Sequence, residues 1–144
     1  MAKSPKATNP IETILKFVQS NGIKFVDLKF MDFPGQWQHF TVPSSQLDED
    51  SFDDGFGFDG SSIRGWKPIN ESDMLIIPDP NSMFVDPFIE APTISLICDV
   101  YEPATKEKYT RCPRSIAQKA EPGRVLKLPC RHYDLAGITD RNFP

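Results

Sequence analysis

Histidine and cysteine are scarce, with two and three residues in a chain of 144. Cys98, Cys112 and Cys130 are odd in number, widely spaced and contain no Cys-x-x-Cys pair, so no disulfide framework or thiol redox motif is indicated. Reduced cytosolic thiols are expected, with Cys98 buried in the apolar run Ile94 to Val100. His39 and His132 have no second His or Cys at ligand spacing, which argues against a dedicated zinc site. His39, between Gln38 and Phe40, is expected to be packed or hydrogen-bonded. No apolar run approaches the ~20 residues of a membrane span, and Met1 to Pro10 lacks a secretory pattern. Sixteen basic against twenty acidic residues, a net charge of −4, leave no basic footprint for nucleic acid. Neither glycine-rich phosphate loop occurs, so ATP has no complete cradle here. The composition points to a cytoplasmic protein without nucleic-acid or membrane partners.

Proline is abundant, at 14 residues. The length permits one domain with a real core and hardly two. Met1 to Asn9 reads as a short disordered arm. Asn9 as N-cap, Pro10 at the first helical position and Gly22 beyond the end delimit an amphipathic helix over Pro10 to Asn21, with Ile14, Leu15, Phe17 and Val18 on one face. Ile23 to Phe30 predicts a strand, Pro34-Gly35 a turn, and Gln36 to Val42 an antiparallel partner carrying Trp37, His39 and Thr41 on one side. Ser44 to Leu47 has short helical character. Strands are expected again over Met74 to Ile77, Ser82 to Val85 and Ile94 to Val100. A helix follows from Pro113 to Glu121, with Ile116, Ala117 and Ala120 as its apolar face. The sum is a small α+β domain, an N-terminal helix packed on a mixed or antiparallel sheet.

The richest stretch runs from Phe58 to Met74: Phe-Asp-Gly-Ser-Ser-Ile-Arg-Gly-Trp-Lys-Pro-Ile-Asn-Glu-Ser-Asp-Met. Asp59 stands beside Gly60, Ser61 and Ser62. Gly65 and Trp66 follow, then Asn70, Glu71, Ser72 and Asp73. One reading is a turn in which Asp59 and the serines bond the local backbone. The other is a binding loop, since an indole among convergent polar groups on a surface loop is costly to hold without a ligand. Glu71 and Asp73 equally suit a strand-entry cap. The acidic run Asp48 to Gly55 fails the EF-hand pattern, because Phe52 takes the third ligand position and no closing Glu arrives. It reads as a solvated loop.

The Phe58 to Met74 stretch resembles the loop of the N-terminal domain of bacterial-type (class I) glutamine synthetases. Phe25 to Phe30, Pro34-Gly35, Gln38-His39, Ile76 to Asp79, Val85 to Phe88, Cys98 to Val100 and Pro113 to Ala117 all fall in that family's order. The resemblance spans roughly residues 10 to 121 and implies a β-grasp fold. It also implies a site shared between subunits of a homo-oligomer, in which ATP phosphorylates glutamate and ammonia attacks the acyl phosphate. By resemblance, Asp59 binds ammonium and accepts its proton. Ser62 supports that pocket, Trp66 packs at the site boundary, and Asp73 lies near the same interface. ATP and Mg2+ or Mn2+ belong to the family's catalytic domain.

After Glu121 the resemblance stops. Pro122-Gly123 is expected to interrupt the helix, and residues 122 to 144, which contain no glutamate, are expected to form an irregular tail unrelated to the preceding domain. No metal ligands are expected in the chain, and alone it is expected to be inactive. The leading expectation is therefore a glutamine synthetase N-terminal domain, as a fragment or decayed copy. The alternatives are a non-catalytic module that associates with a full-length synthetase, and an independent small-molecule binding domain.

Overall fold

The structure, a computed structural model, describes residues 9 to 126. The expected N-terminal arm (apart from Asn9), the tail beyond Leu126, Cys130 and His132 lie outside the described residues.

Helix α1 spans Pro10–Ser20 and begins as its sequence dictates. The Asn9 side chain accepts a hydrogen bond from the Ile11 N–H (3.1 Å), and Pro10 occupies the first turn, where its missing N–H costs nothing. Gly22, with φ +61°, lets the chain turn beyond the helix end into β1. Strands β1 (Phe25–Met31) and β2 (Trp37–Pro43) form the expected hairpin in the register Met31 to Trp37. Gly35 at φ +89° makes its turn. Strand β3 (Phe56–Asp59) follows, then β4 (Asp73–Pro78), β5 (Phe84–Val85), β6 (Thr93–Tyr101) and α2 (Pro113–Leu126). Ser44–Gln46 and Asp50–Phe52 are single 3-10 turns.

The sheet order is β2-β1-β6-β4-β3, with β5 also paired to β6. β1 and β6 run parallel; every other pairing is antiparallel. A mixed sheet results, as expected. Val26, Leu28 and Phe30 of β1 alternate with more polar neighbours, and join Ile94, Leu96, Cys98 and Val100 of β6, Met74 and Ile76 of β4, and Ile14 and Val18 of α1 in one core. Cys98 is buried as expected, and burial pushes its thiol up. No helix among the described residues is long and apolar enough to cross a membrane.

Four expectations are corrected. Strand β3 lies where the sequence pattern indicates none. The predicted Ser82 to Val85 strand shrinks to two residues, because the Asp79 side chain accepts from the Asn81 N–H (2.9 Å) and Pro80 starts a 3-10 turn over Pro80–Ser82. Helix α2 does not stop at Pro122-Gly123 but continues to Leu126. An interior proline removes one hydrogen bond and costs about 3 kcal/mol, which can bend a helix without ending it. Finally, Ile116, Ala117 and Ala120 do not face the core: Ile116 is 50% exposed, and both alanines lie in solvent.

Polar bonds hold α2 to the sheet instead. The Arg114 guanidinium donates to Asp99 Oδ1 (2.6 Å) and Asp79 Oδ2 (2.5 Å), and Lys108 donates to Asp99 Oδ2 (2.8 Å). Burial pushes the Asp99 carboxyl up, but the hydrogen bonds from Lys108 and Arg114 outweigh it and leave it below its ordinary value of 3.8. A carboxyl lowered in the folded state adds stability above its unfolded pKa, and that stability is lost as pH falls through the folded value. Acid unfolding followed by circular dichroism should therefore show an Asp99-dependent loss below about pH 3.8. In Asp99→Asn that portion of the acid limb should flatten, on a baseline already lower at neutral pH. Parallel acid limbs in the two proteins would contradict a role for this clamp.

Candidate functional site

The two acids singled out from the sequence meet at one end of the sheet. Asp59 closes β3, Asp73 opens β4, and the two are direct cross-strand partners. Both are exposed. Like charges directly opposite each other in a sheet are destabilising, and neither carboxylate has an ion pair among the described residues.

The chain between them is held tightly at its base. Asp59 Oδ1 accepts the Ser61 N–H (2.8 Å), which caps the 3-10 turn Gly60–Ser62. The Gly60 N–H donates to the Ser72 carbonyl at 2.6 Å, drawing the two strand ends together. Hydrogen bonds from the side chain and backbone of Ser61, and then from the Ser72 side chain, hold the Asp59 carboxyl below its ordinary value of 3.8. The turn reading of this acid is borne out, since it caps its own turn, and the carboxylate stays exposed. Ser62 is exposed on the same turn. Asn70 and Glu71 are exposed on a second 3-10 turn, Ile69–Glu71.

Trp66 departs from its expected surface position. Only 4% of it is exposed, and its ring packs against Phe30 (5.6 Å between centroids), Phe58 (6.3 Å) and Tyr109 (5.2 Å). Core packing accounts for the indole's placement, so it no longer argues for a ligand. Tyr109 also donates its hydroxyl to the Trp66 carbonyl at 3.0 Å, which anchors the far side of the loop.

The other candidates separate from this end. His39 Nδ1 lies 2.8 Å from Asp27 Oδ1, the hydrogen-bonded role its position predicts. The acidic run places Asp48, Glu49, Asp50, Asp53 and Asp54 in solvent, while Phe52 enters the core and Ser51 bonds the Asp48 carboxylate. No group of three or more His, Cys, Asp or Glu side chains converges among the described residues. Sequence reasoning missed a buried network: Asp27, 1% exposed, receives Thr41 Oγ1 (2.9 Å) and sits 3.4 Å from Lys29 Nζ. Lys29 also reaches Asp86 (3.1 Å). The alternation of Asp27 and Lys29 with Val26, Leu28 and Phe30 was the available signal.

Gly60 carries the seat of the Asp59 turn. A Cβ there would run into the Met74 side chain, with Met74 Cγ at 2.8 Å and the Ser72 carbonyl at 3.1 Å. Met74 is itself buried and cannot yield freely. Gly60→Ala should cost about 1–3 kcal/mol, the range for overpacking, read from urea unfolding. Trimming the neighbour in Gly60→Ala/Met74→Ala should cost less than the sum of the two single changes. An unaltered Gly60→Ala midpoint would show that the strand ends are not closely apposed.

Residues 22–103 match the family model described as the glutamine synthetase β-grasp domain. A glutamine synthetase of Microchaete diplosiphon is 58% identical over 113 residues, covering 78% of this chain and 24% of that protein. A 3-hydroxylaminophenol mutase of Cupriavidus pinatubonensis is 52% identical over 111 residues, covering 77% of this chain and 24% of that protein. The fold matches a glutamine synthetase structure from Plasmodium falciparum with a TM-score of 0.68 at 22% identity, over 82% of this chain and 23% of that one. The chain thus spans about a quarter of the length of the relatives it matches. It belongs to the glutamine synthetase family, within which it corresponds to the N-terminal β-grasp domain.

Proposed function

We propose that the strand end bearing Asp59 is the ammonium half of a shared glutamine synthetase site, offered to the catalytic domain of an adjacent subunit in a homo-oligomer. The observation that carries this reading is the pairing of two exposed carboxylates, Asp59 and Asp73, without a counter-ion among the described residues. A monovalent cation between or beside them would relieve their repulsion. Bonds from Ser61 and Ser72 hold the Asp59 carboxyl below its ordinary value, so it stays anionic at neutral pH, where ammonium is the cation at hand. The same lowering weakens it as a base, so attraction of ammonium is its larger contribution and acceptance of the proton the smaller. Proton transfer still becomes feasible once a partner domain closes over the site and excludes water, because desolvation raises a carboxylate's pKa. Ser62, exposed on the adjoining turn, supplies a hydroxyl to the same pocket. Trp66 contributes from beneath, by setting the loop's position.

ATP, glutamate and Mg2+ or Mn2+ belong to the partner's half of the site. The described residues do not fit a divalent metal, since no ligand group of the required size converges among them. By itself this half-site binds no phosphate-bridging metal and is inactive in phosphoryl transfer. A relative named for a mutase activity shows that the scaffold also occurs under another name, so ammonium use has to be tested directly.

The test places residues 1 to 121 in front of a glutamine synthetase catalytic domain and compares Asp59 with Asp59→Asn. The substitution keeps size but removes charge and basicity. Loss of the charge that attracts ammonium, with the lesser loss of a base whose full effect is about 10²–10⁴, should lower the rate at least tenfold under limiting ammonium, while acyl-phosphate formation from ATP and glutamate changes far less. Ser62→Ala should move ammonium dependence in the same direction by less. Equal losses toward all three substrates, or none toward ammonium, would reduce Asp59 to a turn residue.

A further inference from the structure

A cleft beside the C-terminal part of the same loop is rich in donors. It has a volume of about 350 Å³ and is lined by Trp66, Lys67, Pro68, Glu102, Tyr109, Thr110 and Arg111. That volume lies within the ordinary range for small-molecule sites, about 300–1,000 Å³. One wall is the loop just after Gly65, and the other is the connection from β6 to α2. Three bonds tie the walls together: Lys67 Nζ to Glu102 Oε1 (2.7 Å), Tyr109 Oη to the Trp66 carbonyl (3.0 Å), and Arg111 Nη1 to the Gly65 carbonyl (3.3 Å).

The charge count in this cleft is unbalanced. Among the described residues Glu102 is the only acid lining it, and Lys67 pairs with it. Arg111 forms no ion pair among the described residues and spends a single N–H on a backbone carbonyl. Thr110 adds an exposed hydroxyl. Trp66 also lines the cleft, and its indole N–H is buried without a hydrogen-bond partner among the described residues. Buried donors are nearly always satisfied, so an unpartnered one remains available to an acceptor. Arg111 is thus the one charge in the lining without an ion pair among the described residues.

We infer that this cleft binds a small oxyanion, a phosphate or carboxylate group, through Arg111 and Thr110. Arginine suits this role because its planar fork can bond two oxygens at once. The ligand would bridge the Asp59 loop to the segment leading into α2, so its occupancy stiffens the loop that carries the ammonium half-site. The cleft does not include Asp59, Ser62 or Asp73, and the inference stands whether or not those residues bind ammonium.

The test uses the full chain with Trp37→Phe, which leaves Trp66 as the sole tryptophan and hence a reporter in the cleft wall. Emission is followed during titration with inorganic phosphate, with glutamate, and with chloride, all at constant ionic strength. A saturable change with phosphate, with glutamate or with both supports the inference and identifies the oxyanion. In Arg111→Ala the same curve should shift at least tenfold toward weaker binding, and Arg111→Lys should retain part of the affinity. Arg111 is exposed, so its replacement leaves the core intact, which near-unchanged circular dichroism should verify. Absence of saturation with both oxyanions, an equal response to chloride, or equal affinity in Arg111→Ala would overturn it.

Discussion

A single backbone hydrogen bond, from the Gly60 N–H to the Ser72 carbonyl, determines where the Asp59 carboxylate stands. It closes a loop of eleven intervening residues at the point where β3 ends and β4 begins, and it forms only because residue 60 has no Cβ to meet Met74. Behind it lies a chain of registers. Ile76 of β4 pairs with Val100 of β6, and β6 in turn pairs with β1. An error in any of these registers would turn the strand end over, because successive side chains alternate between faces. The exposed acids thus inherit their positions from the most deeply buried strand in the molecule.

Two different forces stabilise the two ends of that sheet. Near the loop the seat is apolar: Phe30, Phe58, Trp66 and Tyr109 stack at centroid distances of 5.0 to 6.3 Å. Toward β1 and β2 it is polar. Taking Asp27 out of water costs several kcal/mol unless it is paired, and Thr41, His39 and Lys29 together supply that pairing. The same polar logic docks α2, whose Arg114 and Gln118 reach Asp99 while its small apolar residues face solvent. A helix held this way is oriented by directional bonds rather than by apolar packing of Ile116, Ala117 and Ala120.

Local punctuation makes much of this fold legible in the amino-acid sequence. Asn9, Pro10 and Gly22 bound α1 because capping and turning are decided by single residues, and Pro34-Gly35 does the same for the β1–β2 hairpin. The family resemblance, carried by motifs spread over some hundred residues, extends that to the β-grasp fold. What escapes is nonlocal. Phe56–Asp59 looks like loop because Gly57 interrupts a four-residue segment, yet β4 recruits it as an edge strand. Trp66 looks exposed because its sequence neighbours are polar, whereas its packing partners lie 36 residues before it, at Phe30, and 43 after, at Tyr109. The pairing of Asp59 with Asp73 likewise exists only in the β3–β4 register. Helix α2 fails in the opposite sense: Pro122 is a strong local signal to stop, but one lost hydrogen bond does not end the helix.

The bonds that shape the Asp59 turn all lie within the β-grasp domain. Residue-resolved amide hydrogen exchange on the purified chain tests this most directly. The Gly60 amide, bonded to the Ser72 carbonyl, should be protected to a degree comparable with the β3–β4 ladder amides beside it. A Gly60 amide exchanging at the rate of an unstructured peptide, with β4 and β6 still protected, would contradict a turn formed by the domain alone.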